Sequence, residues 1–125
     1  MDMKYKLDGL VQQWASKQHS IISGKPAECG HHYFSRRHEI IRYNLDNIIP
    51  LTIEEHNKVH SGEIKINIPE ILEEILFKLK EQGLKNYLLQ NNLTLDDFYR
   101  KEEKKLRAAI NVNYETFNPE KYFNI

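Results

Sequence analysis

The stretch that most constrains this chain runs from Cys29 to Gly62, CGHHYFSRRHEIIRYNLDNIIPLTIEEHNKVHSG. Four of its histidines fall into two pairs. His31 and His32 are adjacent, His56 and His60 are four apart, and Asn47 stands between the pairs. On a helix, residues four apart share a face, so His56 and His60 offer two imidazole nitrogens to one point, a common way to begin a metal site. The adjacent pair adds a division of labour. One imidazole can bind an ion, and its neighbour, left metal-free, can take a proton from water. In a regular strand the two would face opposite sides, so both serve one site only if the chain bends at the loop beginning near Tyr33.

Punctuation around this block gives the order of elements. Residues 7–22 carry a helical apolar stripe through Leu7, Leu10, Val11, Trp14, Ala15, Ile21 and Ile22, with Asp8 as the expected N-cap. His19 lies off the stripe and reads as a solvated helix histidine. Ser23-Gly24-Lys25-Pro26 is a turn. Residues 27–34 and 47–51 read as short strands, the second limited by Pro50 to an edge or an end. The arginine-containing stretch 35–44 between them reads as an irregular loop. Thr52 to Glu55 is a capping box opening a helix that Gly62 stops. Residues 63–68 read as a short strand or an extended link. Pro69 starts a helix with an apolar stripe of Ile71, Leu72, Ile75, Leu76 and Leu79, ended by Gly83, and a short helix over 84–91 follows. Thr94 with Asp97 caps a last helix, whose RKEEKKLR run reads as a solvated face. Tyr114, Phe117, Tyr122 and Phe123 in the tail are expected to pack back on the domain or on a partner.

The expected architecture is therefore α+β and mostly helical, one domain over residues 1–125. Its β-β-α core lies at 27–62, an N-terminal helix precedes it, and a helical C-terminal part covers 69–111. A chain of 125 residues is long enough to bury a core of its own. With 18 basic and 18 acidic residues its formal charge is zero, so nucleic-acid binding has to rest on local charge and chemistry. A lone cysteine permits no internal disulfide and fits a reducing compartment. No apolar run reaches the ~20 residues that cross a bilayer, and the first residues lack a signal-peptide core. The expected setting is cytoplasmic, with no membrane partner.

The pattern His-His, Asn fifteen residues on, His nine later and His four later resembles the HNH (ββα-metal) endonucleases. Its spacing is similar to that of the colicin DNases. The local wording GHHYFSRRHEIIRYNLDN resembles phage HNH proteins of the NinG/Rap recombination-nuclease type. The resemblance covers about residues 28–62. It implies a ββα-metal (His-Me finger) core that hydrolyses DNA phosphodiesters, leaving 5′-phosphate and 3′-hydroxyl ends. Carried over, His31, His56 and His60 would be the metal ligands and His32 the general base. Asn47 would steady the loop that orients His32. Arg36, Arg37 and Arg42 would be phosphate contacts, with ion pairs to Glu39 or Asp46 as the plainer alternative for them. The host cell of a phage or prophage is the implied setting, with a role in recombination or DNA processing. A homodimer or a phage protein partner stays open.

One divalent ion is implied. Three imidazoles suit Zn²⁺, Mn²⁺ or Ni²⁺, whereas the family members with Asp in place of His31 suit Mg²⁺, so its identity stays open among these. The second, structural zinc that many family members hold on paired cysteines has no counterpart here. Cys29 with His31, His56 and His60 could instead close a tetrahedral structural zinc, which would make the chain a zinc-stabilised, non-catalytic DNA- or protein-binding module.

Overall fold

In the computed structural model, residues 2–111 are described. Helix α1 (Met3–Ser16) leads to strand β1 (Cys29–His32), a single helical turn α2 (Glu39–Arg42) and a 3-10 turn (Leu45–Asn47). Strand β2 (Ile48–Leu51) and helices α3 (Ile53–His60), α4 (Glu70–Gln90) and α5 (Leu95–Ile110) follow. The described residues are thus α+β, five helices beside one two-stranded antiparallel sheet. None of those helices is long and apolar enough to cross a membrane. The aromatic tail beyond residue 111 lies outside the described residues.

The main core is formed by α1 against α5. Leu7, Leu10, Val11 and Ala15 meet Phe98, Tyr99, Leu106 and Ile110, with Tyr43 and Ile48 completing the cluster. A second cluster joins Ile40 and Ile41 of α2 to Leu76 of α4. Leu84 and Tyr87 pack against both, so the two are continuous. α2 is the first departure from expectation, since residues 39–42 of the anticipated loop form a helical turn. Its isoleucine pair is buried between the helices, and burial of that apolar surface orders the turn.

α1 starts at Met3 and stops at Ser16, shifted from the expected 7–22. Asp2, not Asp8, is its N-cap and accepts the Lys4 N–H at 3.0 Å. Beyond Ser16 the backbone turns back on itself. Ser20 N–H donates to Lys25 O at 2.7 Å and Ala27 N–H to Gln18 O at 2.9 Å. His19 therefore belongs to this turn and not to a helix, and its Nδ1 lies 3.0 Å from Gly24 O.

What ends α1 early is a polar knot at Ser20. Its buried hydroxyl accepts the N–H groups of Ile22 and Ser23 and donates to Glu55 Oε1 at 2.6 Å. Glu55 Oε1 also accepts the Thr52 N–H at 2.8 Å, closing the expected capping box of α3. These donors, the Ser20 hydroxyl foremost, hold the Glu55 carboxyl down at about 2. The same knot fixes the start of α3, and with it the placing of His56 and His60.

Two further elements follow their punctuation. Gly83, at φ +77°, breaks α4 into two helical pieces, and Thr94 with Asp97 caps α5. The stripe on α4 turns out otherwise. Leu76 is buried, but Ile71 is 69 % exposed and Ile75 49 %. Residues 63–68 form a link that bends at 63 and 64 and belongs to no strand or helix among the described residues.

Replacing Glu55 by Ala leaves the buried Ser20 hydroxyl and the Thr52 N–H without their acceptor, and is expected to lower stability by about 1–3 kcal/mol at pH 7. The ordinary carboxyl value of 4.5 falls to about 2 on folding, so this stabilisation is complete above 4.5 and is lost as pH falls toward 2. Urea unfolding of both proteins across that range checks it. The gap between them should close in acid.

Candidate metal centre

β1 and β2 pair in antiparallel register, His31 opposite Ile49 and Gly30 opposite Pro50. α1 holds the outer side of β1. The Gln12 side chain accepts the Gly30 N–H at 2.8 Å and donates to Gly30 O at 3.2 Å, so it acts as a one-residue strand. Gly30 is required by close approach. A Cβ there would lie 2.6 Å from Ile48 Cγ2 and 3.0 Å from Ala15 Cβ. Cys29, His31 and the residues after them are thereby fixed against α1 and β2 together.

Strand geometry ends at His32, and the chain bends at Tyr33 and Phe34. The bend brings both adjacent histidines to one cavity of about 790 Å³, which Gln12, Cys29, Tyr33, Ser35, Arg36, His56 and His60 also line. The imidazoles of His31, His56 and His60 converge there, their nearest ring nitrogens all within 4.8 Å of one another. His56 Nε2 and His60 Nε2 are 3.1 Å apart, and the His31 ring centroid is 5.4 Å and 5.5 Å from theirs. Zinc–nitrogen bonds of about 2.0–2.1 Å in a tetrahedral site set ligand nitrogens roughly 3.3 Å apart, a spacing His56 and His60 already have, so closing the set on an ion takes only an approach between His31 and that pair.

Two of the three rings are kept unprotonated, as ligands must be. Burial, followed by repulsion from His56 and His60, holds His31 down at about 4, and burial with the neighbouring His60 lowers His56. The donor set thus fits one divalent ion of the kind that takes imidazoles. Among the described residues this is the one cluster of histidine, cysteine and carboxylate groups close enough to hold a metal. Cys29 is not in it. Its Sγ is directed at Leu51 O, 3.6 Å away, and burial raises its pKa, keeping the thiol protonated.

His32 is set apart from the three. Its Nε2 lies 2.9 Å from Arg42 O. A carbonyl only accepts, so Nε2 carries the proton, and Nδ1 is left with the lone pair. Burial lowers the pKa of the ring and favours this neutral form. Asn47 is fully buried below. Its Oδ1 accepts the Phe34 N–H at 2.8 Å, and its Nδ2 donates to Phe34 O at 3.1 Å and Ile41 O at 3.3 Å. It ties the bend after His32 to the residue before Arg42.

The three arginines differ. Arg42 forms a two-pronged pair with Asp8, Nε to Oδ1 at 3.0 Å and Nη2 to Oδ2 at 2.5 Å. Its partner is thus on α1 and is neither Glu39 nor Asp46. Arg36 is 64 % exposed, lines the cavity and reaches Asp8 at 3.6 Å. Arg37 is exposed nearby. Gln12 and Ser20 carry no motif and Asp8 reads only as an N-cap; their partners lie 18, 35 and 34 residues away, beyond the reach of local pattern. In comparisons with family models, curated proteins and solved structures, none matches this chain.

Removing any one of His31, His56 and His60 by Ala substitution should weaken Zn²⁺ binding by more than about 100-fold, the upper range for a merely supporting group. Cys29→Ala should leave it unchanged. Isothermal titration calorimetry reads both. In the metal-free protein the unfolded chain gains the His31 proton near pH 6.5 and the folded chain only near 4, so stability should fall as pH drops between those values. His31→Gln should flatten that segment of a melting-temperature profile.

Proposed function

We propose that this protein is a metal-dependent endonuclease of the HNH type, hydrolysing DNA phosphodiesters, with a ββα-metal core made of β1, β2 and α3. The observation that carries the reading is the three-plus-one arrangement of histidines. Three converge on one point, and the fourth, in the same cavity, is neutral and held by a backbone carbonyl. A divalent ion on His31, His56 and His60 would supply Lewis-acid charge to the scissile phosphate and the leaving oxygen.

The chain's own residues supply the rest. His32 Nδ1 takes the proton of the attacking water, and the Nε2–H bond to Arg42 O holds the ring in the tautomer that makes this feasible. Asn47 keeps the His32 and Arg42 backbones in register, a positioning role. Arg36 contacts substrate phosphate from the cavity wall, with Arg37 as a second contact. Arg42 acts through its carbonyl, while its guanidinium binds α1. A setting in phage recombination or DNA processing is part of this proposal.

The rival reading, a structural zinc in a binding module, needs Cys29 as a fourth ligand. The direction of its Sγ toward Leu51 O, and its place outside the cluster of His31, His56 and His60, favour the nuclease.

Plasmid nicking in Mn²⁺, Zn²⁺ or Ni²⁺ tests the proposal. His32→Ala should slow cutting by about 10²–10⁴-fold, the range for a general base, with metal affinity retained. Cutting by His32→Ala at the wild-type rate would remove His32 from the chemistry. Failure of the wild type to cut either plasmid or single-stranded DNA in any of these metals would remove the activity.

A further inference from the structure

The histidine cavity has a neighbour. A second hollow, of about 320 Å³, shares His31 and Tyr33 with it, and its other side chains are Val59, Ile64, Ile66 and Lys65. We propose that this hollow seats an unpaired nucleobase adjoining the phosphodiester at the histidines, so that the preferred substrate is single-stranded DNA. The inference rests on the nuclease reading and adds a substrate class to it.

The walls have the right chemistry. Three aliphatic side chains and a tyrosine ring contact a flat base without reading its edges, and such contact is tolerant of sequence because every base has a π-face. The location is also right. His31 and Tyr33 belong to both hollows, so a phosphate at the histidines has its attached nucleoside next to the second one.

Charge points away from a duplex. Duplex binding draws on many phosphate contacts and on surfaces much more positive than the average protein surface. This chain is neutral overall, and Arg42 is bound to Asp8. Arg36 in the first hollow and Lys65 in the second are the lysine and arginine residues lining the two. One cation in each suits the phosphates flanking a scissile bond in a short single strand.

The seat is built in advance, which limits the ordering lost on binding. Tyr33 is fixed twice, through its hydroxyl to Glu73 Oε2 at 2.5 Å and its N–H to Asn47 O at 2.9 Å. Gly62, at φ +83°, turns the chain after α3, and the Ile64 N–H bonds Lys58 O at 3.1 Å, setting the following residues against Val59. A paired base is stacked on both faces and would have to leave the helix to enter.

The test uses the full chain loaded with Mn²⁺ or Zn²⁺ and three fluorescein-labelled DNAs: a single strand, its duplex, and the single strand with abasic positions through its centre. Anisotropy gives binding and denaturing gels give cutting. The single strand should be bound and cut about tenfold better than the other two, the loss of one stacked base. Ile66→Trp, which fills the hollow, should weaken single-strand binding by about tenfold, with zinc stoichiometry confirming the fold. Lys65→Glu, on an exposed side chain, should weaken it as well and provides a second variant. Equal binding and cutting of all three DNAs, unchanged in both variants, would overturn the base seat while leaving the nuclease standing. A single-strand preference that both variants abolish, with no cutting of any DNA, would support the seat and overturn the nuclease.

Discussion

Asn47 has no exposed surface, and its side-chain amide is bonded on both ends to backbone. Those bonds close the excursion between β1 and β2. Without them the part-buried Phe34 N–H would lose its acceptor, at about 1–3 kcal/mol, whereas Ile41 O keeps the Asn44 N–H at 3.2 Å. The excursion carries Arg36, and its end provides the carbonyl that holds His32. One buried amide thus coordinates the loop, the arginine and the fourth histidine. The amide is well suited to this because it donates and accepts at once, which neither a carboxylate nor a hydrocarbon of the same size can do.

Partial burial and mutual proximity both disfavour the charged forms of His31 and His56, so these two rings present lone pairs at neutral pH without any carboxylate in the cluster. The same arrangement makes the metal-free protein sensitive to mild acid, because protons bind the unfolded chain more tightly. Polar side chains hold the framework. Glu55 with Ser20 sets the start of α3, and Gln12 sets the position of β1. Each is a short-range bond between elements distant in sequence.

What could be read from the sequence is what the chain encodes locally. Thr52 with Glu55 and Thr94 with Asp97 are three apart, and both boxes form. Gly83 and Gly62 break their helices because a positive φ needs no partner elsewhere. The spacing of His56 and His60 guarantees a shared face on any helix. The errors have the opposite character. The end of α1 depends on a bond from Ser20 to Glu55, and the fate of Arg42 on Asp8, contacts that periodicity does not encode. The α4 stripe shows a further limit. Its apolar positions were legible, but the neighbour packed against α4 decides which of them are covered, and Ile71 and Ile75 are left outside.

Two strands make a sheet with two open edges, and open edges invite pairing with other chains. Here neither is available. On β1 the outward N–H and C=O of Gly30 are already held by Gln12. On β2 Pro50 has no N–H to offer, and its carbonyl accepts the Ile21 N–H at 3.3 Å. A third strand, or the sheet of another molecule, would find both middle positions taken. The strand that carries His31 and His32 is thereby closed to edge-to-edge association, and the smallness of the sheet becomes a form of protection for the histidine cluster beside it.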